Sequence, residues 1–126
     1  MLLTPPALAA GPDCGLYEYK AEVVSAYDGD TIRANVDLGF NTWRMNEPFR
    51  LHGIDTPELR GVDDVTKARG LAARDALRKR IVGKEVRLCS IKDETGKYGR
   101  YLAVIWDDDG NVNEWLMSEG FAVPYE

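Results

Sequence analysis

The chain has 126 residues, 44% of them hydrophobic and 29% charged, with a formal net charge of −5. That length suits one domain whose core needs no metal or disulfide staple, and the composition is that of an ordinary globular protein. No apolar run approaches the roughly 20 residues that span a bilayer, so no membrane role is expected.

The opening MLLTPPALAA is apolar, but it lacks a basic start and two prolines interrupt it. Residues 1–15 read as an N-terminal tail or the remnant of a longer leader, not a working signal peptide, and 16–126 as a single domain. Secreted and cytoplasmic settings both stay open, and the small size fits a bacterial or phage protein. Cys14 and Cys89 are the only cysteines, and with one histidine they are too few for a zinc site. Two reduced thiols are the expected state, with a single disulfide the alternative in a secreted chain.

YKAEVVSAY (19–27) predicts a first strand, closed by the turn Asp28-Gly29-Asp30. TIRANVDLG (31–39) predicts the returning strand, with Ile32, Ala34, Val36 and Leu38 on one face. Phe40 to Pro48 crosses over to a third strand in FRLHGI, where Pro48 limits pairing. From about Asp64 to Val82 the pattern is helical: Val65, Ala68, Ala72 and Ala76 form a small-residue row, widened by Leu71, Leu77 and Ile81. Gly83 stands where a left-handed cap is favoured. GKEVRLCSI and RYLAVIW predict the fourth and fifth strands around the polar loop KDETGKYG. DDDG (107–110) is a turn, and NVNEWLMSEG predicts a short helix stopped by Gly120. Five strands with a helix between the third and fourth give an α+β, mainly β fold: a five-stranded OB-type barrel with a short C-terminal helix.

Between positions 60 and 88 nine basic residues face four acidic ones, which leaves a net −10 on the rest of the chain. A solvated helix face and a polyanion-facing surface are both open readings of that excess. Asp28-Gly29-Asp30 alone is a common hairpin turn, and it does not start a calcium loop of the EF-hand type, because the sixth position is Arg33. The polar clusters gain meaning together. Asp28 and Asp30 close the first hairpin, Asp55, Thr56 and Glu58 leave the third strand, and Lys97, Tyr98 and Arg100 enter the fifth. In a barrel where those ends meet, four carboxylates and the arginines Arg50 and Arg100 converge, an arrangement too costly to bury without a balancing cation or substrate. Oxygen donors without thiolate or imidazole suit a hard cation, Ca²⁺ or Mg²⁺. Arginines beside it suit phosphate, and a spare carboxylate suits a general base for water. Together these groups are sufficient for phosphodiester hydrolysis.

YDGDTI, FRLHGIDTPE and KYGRYLAVI, followed by NVNEWLMSEGFA, resemble the staphylococcal nuclease (thermonuclease) family in the same order, from about Tyr19 to Ala122. The resemblance implies an OB-fold barrel and a Ca²⁺-dependent nuclease acting on DNA and RNA, leaving 3′-phosphate and 5′-hydroxyl ends. Position by position, it implies that Asp30 and Asp55 ligate the metal, that Thr56 offers its backbone carbonyl, and that Asp28 supports the site. It implies Glu58 as general base and Arg50 and Arg100 as the groups holding the scissile phosphate, with Lys97 and Tyr98 meeting a terminal phosphate of a bound nucleotide. A monomer is expected.

Two departures accompany the resemblance. Residues 41–47 lengthen the connection between the second and third strands, as a β-ribbon or a substrate-facing flap. The chain ends at Glu126, before the last helix of the type enzyme, and Tyr125 lies one position off the family's late substrate-side tyrosine and is not assigned. His52 reads as a surface histidine, Trp106 and Trp115 as core, and Trp43 as an exposed candidate for base stacking. The rival to an enzyme is a catalytically silent nuclease-like OB module that binds nucleic acid or protein. Such copies typically lack the carboxylates or arginines, all of which are present here. A plain OB single-strand binder has no reason to keep Glu58 beside Asp55.

Overall fold

The structure is a computed structural model that describes Cys14, residues 17–95 and residues 99–125. Lys97, Tyr98 and nearly all of the N-terminal tail lie outside the described residues.

Strands β1 (Glu18–Asp28) and β2 (Thr31–Asp37) form an antiparallel hairpin with Ala26 opposite Ile32 and Asp28 opposite Thr31. The period-two pattern of β2 holds, because Ile32, Ala34 and Val36 are buried and the residues between them are not. Leu38 does not join that face: it lies past the strand end and is largely exposed. Strand β3 (Trp43–Leu51) starts well before FRLHGI, so the extra residues 41–47 belong to a β-ribbon with β2. Pro48 sits within the ribbon opposite Arg33, and one extra residue bulges from β3 between the pairs Ala34–Glu47 and Val36–Arg44. After a turn at His52 and Gly53, the two-residue strand β4 (Ile54–Asp55) pairs with β8 (Val123–Pro124).

Helix α1 (Asp64–Ile81) starts at the cap Asp63, whose carboxylate accepts from the Thr66 amide at 2.7 Å, and is followed by Gly83 at φ 80°. Its buried face differs from the expected row. Gly70, Ala73, Leu77 and Ile81 face the barrel, whereas Val65, Ala68 and Ala72 face outward. With alanine recurring all round the helix, apolar spacing does not distinguish the two faces. The barrel selects the one where Gly70 and Ala73 permit close approach. Strand β5 (Glu85–Thr95) continues through part of the expected polar loop, and β6 (Tyr101–Asp107) returns antiparallel to it. Strand β7 (Gly110–Asn111) and helix α2 (Val112–Ser118), capped by Asn111, complete the order.

The main sheet runs β3-β2-β1-β5-β6-β7, and a parallel β3–β6 pairing joins its ends, with Arg50 opposite Leu102. Five long strands thus close into the expected barrel, filled by Val23, Ile32, Leu51, Leu88 and Ile105 and sealed by Leu77 and Ile81 of α1 and Leu116 of α2. Buried Asn113 secures the closure: its Oδ1 accepts from the Ile105 amide at 3.1 Å, and its Nδ2 donates to the carbonyls of His52 and Ala103. Among the described residues no helix is long and apolar enough to cross a membrane.

The cysteines correct the sequence expectation of free thiols. Cys14 and Cys89 form a disulfide with a Cα–Cα separation of 5.7 Å, tying the chain ahead of β1 to β5. Their separation of 75 residues hides the pairing from sequence, but the β1–β5 register places Glu18 opposite Cys89. His52 is exposed, Trp115 packs on the core beside Phe121, and Trp106 is only half-buried. Much of the basic excess is occupied internally. Arg78 donates to the Ala26 carbonyl, and Arg80 makes a two-point ion pair with Asp107 at 2.6 and 2.7 Å while stacking on Trp115.

Candidate active site

Barrel closure brings three chain segments together. The β1–β2 turn places Asp30, whose carbonyl accepts from the Leu51 amide at 2.8 Å and so joins the turn to the end of β3. One residue before Leu51, Arg50 leaves the outer face of the sheet. Its Nη1 lies 3.1 Å from Asp30 Oδ2, and its Nη2 lies 3.4 Å from Asp55 Oδ1 and donates to the Ile54 carbonyl at 3.1 Å. Parallel pairing of β3 with β6 places the start of β6 beside them, and Arg100 Nη1 donates to Thr31 Oγ1 at 3.0 Å. Thr31 Oγ1 in turn donates to Asp30 Oδ1 at 3.3 Å. Arg100, Thr31, Asp30, Arg50 and Asp55 therefore form one connected chain of polar contacts.

The electrostatics separate the two turn aspartates. Burial, then the neighbouring Asp30 charge, pushes Asp28 up to about 6, although its Oδ1 also accepts from the Asp30 amide at 3.1 Å. Burial opposes the charge of Asp30 as well. Hydrogen bonding from Asp28 and the Thr56 amide, followed by the Arg50 cation, outweighs that cost and holds Asp30 below the usual carboxylate range. Asp30 is almost fully buried while Asp55 is half-exposed, so the pair faces from the barrel wall toward solvent.

Asp28, Asp30, Arg50, Asp55, Thr56 and Arg100 are brought together. The Glu58 side chain, two residues after Thr56, is exposed, and among the described residues no hydrogen bond or ion pair joins it to the cluster. Lys97 and Tyr98 fall outside the described residues. No group of three His, Cys, Asp or Glu gathers as a metal cluster among the described residues. The oxygen donors at hand are the Asp30 and Asp55 carboxylates with Thr56. The buried Thr56 hydroxyl lacks a partner of good hydrogen-bond geometry, yet lies near enough to Asp30 to favour that carboxylate's charge. Donors of this kind suit a hard divalent cation.

Four participants escape sequence reasoning. Tyr125 lays its ring 4.8 Å from the Arg50 guanidinium carbon, and its amide donates to the Gly53 carbonyl at 3.0 Å. Thr31 links Arg100 to Asp30. Gly29 is not in a left-handed conformation: a Cβ there would stand 2.7 Å from Thr56 Cγ2 and 2.8 Å from Ala73 Cβ, so glycine is present for close packing, not turn geometry. Gly70 plays the same part on α1, where a Cβ would stand 2.7 Å from the Pro57 carbonyl oxygen and 3.1 Å from that of Glu58. A glycine in the middle of a helix was the available signal. Next to the cluster a pocket of about 460 Å³ opens between Asp55–Pro57, Arg69 and Ala72 of α1, and the segment Glu119–Val123.

Comparison with known proteins gives the family. A thermonuclease of Staphylococcus hyicus is 32% identical over 105 residues, covering 83% of this chain and 59% of its own length. A thermonuclease of Staphylococcus intermedius is 36% identical over 95 residues, covering 75% of this chain and 53% of its own. Protein ParB of Escherichia coli is 34% identical over 117 residues, covering 86% and 58% respectively. The chain thus spans between a half and three-fifths of the length of these relatives. Residues 48–126, well over half the chain and carrying Arg50, Asp55, Glu58 and Arg100, match the family described as Staphylococcal nuclease homologue. With its closed barrel and that match, the chain belongs to the staphylococcal nuclease homologue family.

Proposed function

We propose that this protein is a calcium-dependent nuclease that hydrolyses phosphodiester bonds of DNA, RNA or both and leaves 3′-phosphate and 5′-hydroxyl ends. The observation that carries this reading is the connected chain Arg100–Thr31–Asp30–Arg50–Asp55, which sets two guanidinium groups beside two carboxylates at one end of the barrel. The thermonuclease relatives support it from the side of sequence.

In this reading Asp30 and Asp55, with the Thr56 carbonyl, hold the cation, and Asp28 supports them from the turn. A bound calcium ion supplies charge stabilisation to the phosphate oxygens. Arg50 and Arg100 hold the scissile phosphate in place and balance the charge that grows on its oxygens, where a planar guanidinium matches two oxygens at once. Glu58, exposed at the exit of this segment, takes the proton of the attacking water. Lys97 and Tyr98 meet a terminal phosphate. The depressed Asp30 carboxyl favours this assignment, since a ligand must be ionised at neutral pH.

A second reading, a silent nuclease-like module that binds nucleic acid or protein, is favoured by one observation: among the described residues no hydrogen bond or ion pair joins the exposed Glu58 carboxylate to the cluster. One assay separates the two. Purified protein is incubated with plasmid and with single-stranded DNA and RNA in Ca²⁺, in Mg²⁺ and in chelator. The nuclease reading expects cleavage stimulated by Ca²⁺ and abolished by chelator, with 5′-hydroxyl termini. Intact substrate in every condition, together with retained binding, would establish the silent module instead.

A further inference from the structure

The ribbon formed by β2 and β3 carries features that the barrel does not need. Phe40 at its tip is fully exposed, and Trp43, Met45 and Leu38 are all substantially exposed. Gly39, Phe40 and Asn41 have φ of 86°, 55° and 61°, three successive residues in the left-handed region, where a phenylalanine is held at a cost in backbone energy. The tip is nonetheless ordered by hydrogen bonds. Leu38 N donates to the Thr42 carbonyl, Thr42 N to the Gly39 carbonyl, and Gly39 N to Asp37 Oδ1, all within 2.9 Å. A costly conformation that presents an aromatic ring to water contributes nothing to packing.

The pairing register shows where this surface leads. Residues directly opposite share a face of the sheet, and β2 alternates without interruption. Ile32, Ala34 and Val36 face the core, so Thr31, Arg33, Asn35 and Asp37 face outward. Their partners Arg50, Pro48 and Trp43, opposite Thr31, Arg33 and Asp37, lie on that same outer face. One outward row therefore runs from the Arg50–Thr31–Arg100 cluster, past Arg33, to Trp43. At the usual rise of a strand it covers about 20 Å. Arg33 is exposed and is held in position by a hydrogen bond from Nη1 to the Asn46 carbonyl at 2.8 Å, and among the described residues it makes no ion pair. Asn35 is engaged with the Asn46 amide and Asp37 with the tip, so the outward row offers a cation and then aromatic rings.

We propose that the outer face of the β2–β3 ribbon is an extended subsite for single-stranded nucleic acid, in which Arg33 meets a backbone phosphate and Trp43 stacks on a base, with Phe40 beyond it. A cation and then an aromatic ring leading away from two arginines match the succession of phosphate and base along a strand, and such stacking tolerates any base. The inference rests on the nuclease reading of the arginine cluster. A protein groove or a lipid surface has no comparable need for Arg33 placed in line with Arg50.

The test uses the full chain in chelator, where no cleavage interferes. Binding of a fluorescent thymidine trinucleotide and of a dodecanucleotide is measured by anisotropy for wild type, Trp43→Ala, Arg33→Ala and Phe40→Ala, all exposed positions whose folding is checked by circular dichroism. The proposal expects tighter wild-type binding of the dodecanucleotide, lost roughly tenfold in Trp43→Ala, with trinucleotide binding and trinucleotide cleavage in Ca²⁺ unchanged. Arg33→Ala should weaken dodecanucleotide binding and flatten its salt dependence. Wild-type dodecanucleotide affinity in all three variants, with cleavage intact, overturns the ribbon subsite and leaves the nuclease reading standing. Loss of sedimentation with phosphatidylserine vesicles at unchanged dodecanucleotide binding overturns it in favour of a membrane contact. Absence of both binding and cleavage in the wild type removes the nuclease reading itself, and the ribbon subsite with it.

Discussion

Arg50 Nη1 and Asp30 Oδ2 lie 3.1 Å apart with both side chains about nine-tenths buried, the most enclosed ion pair in the site. The same guanidinium reaches Asp55 and the Ile54 carbonyl and lies under the Tyr125 ring, so its planar fork spans several partners at once. Replacement of Arg50 by lysine keeps the charge but loses that span. Arg50→Lys is expected to destabilise the fold by about 1–3 kcal/mol, from an underpaired Asp30, and to cut cleavage by roughly a hundredfold or more. Urea unfolding and plasmid cleavage measure the two effects; a near-normal rate would count against the assigned phosphate contact.

Glu58 should behave in the opposite way. Its carboxylate is exposed and, among the described residues, makes no hydrogen bond or ion pair, so Glu58→Gln should leave stability within about 0.5 kcal/mol of wild type. Turnover should fall by about 10²–10⁴ while nucleotide affinity survives, as expected for removal of a general base. Steady-state kinetics beside equilibrium binding make the comparison, and an unchanged kcat removes Glu58 from that role.

Gly70→Ala tests whether α1 sets the position of the segment bearing Thr56 and Glu58. The added methyl would meet the Pro57 carbonyl oxygen and Leu59 Cδ2, each at 2.7 Å, so the segment must move outward. The expected cost is about 1–3 kcal/mol, despite alanine's better helix propensity, with a fall in kcat larger than in substrate affinity. A stabilised, fully active variant would show that the close approach is not required.

Stability in acid should depend on Asp107. Hydrogen bonds from Arg80 foremost, against the opposing effect of burial and with help from the Asp109 amide, hold its carboxyl below the ordinary value of 3.8. A carboxyl depressed in the folded state contributes stability that is complete above 3.8 and is lost as pH falls through the lower folded-state value. Asp107→Asn should therefore cost about 1–2 kcal/mol at neutral pH and flatten the acid side of the stability curve. Thermal melts of both proteins from neutral to acid pH test this, and parallel curves would refute it.

The strand order, the long helix and the polar strand ends were legible in the sequence because each is a local pattern. Alternation in TIRANVD, the helical period from Asp64 and the glycine after α1 need only neighbours within a few positions. The candidate site was legible for a related reason: Arg50 in a strand body and Asp55 at its exit contradict simple packing, and with the other polar strand ends they gained meaning together. Relationships between distant residues were not. Val65, Ala68 and Ala72 made as good an apolar row as Gly70 and Ala73, and only the barrel surface, with Gly29 close against Ala73 and Thr56, decided between them.

By itself, then, the sequence determined which residues bear the charges and which strands carry them, since both follow from side-chain chemistry and periodicity. The tertiary structure alone decided that Arg50 pairs with Asp30 across the β3 end, that Tyr125 lies over that guanidinium, that Cys14 meets Cys89, and that the Glu58 side chain is exposed. Those facts depend on how the sheet closes through β3 and β6, a contact between segments about 50 residues apart that no local pattern encodes.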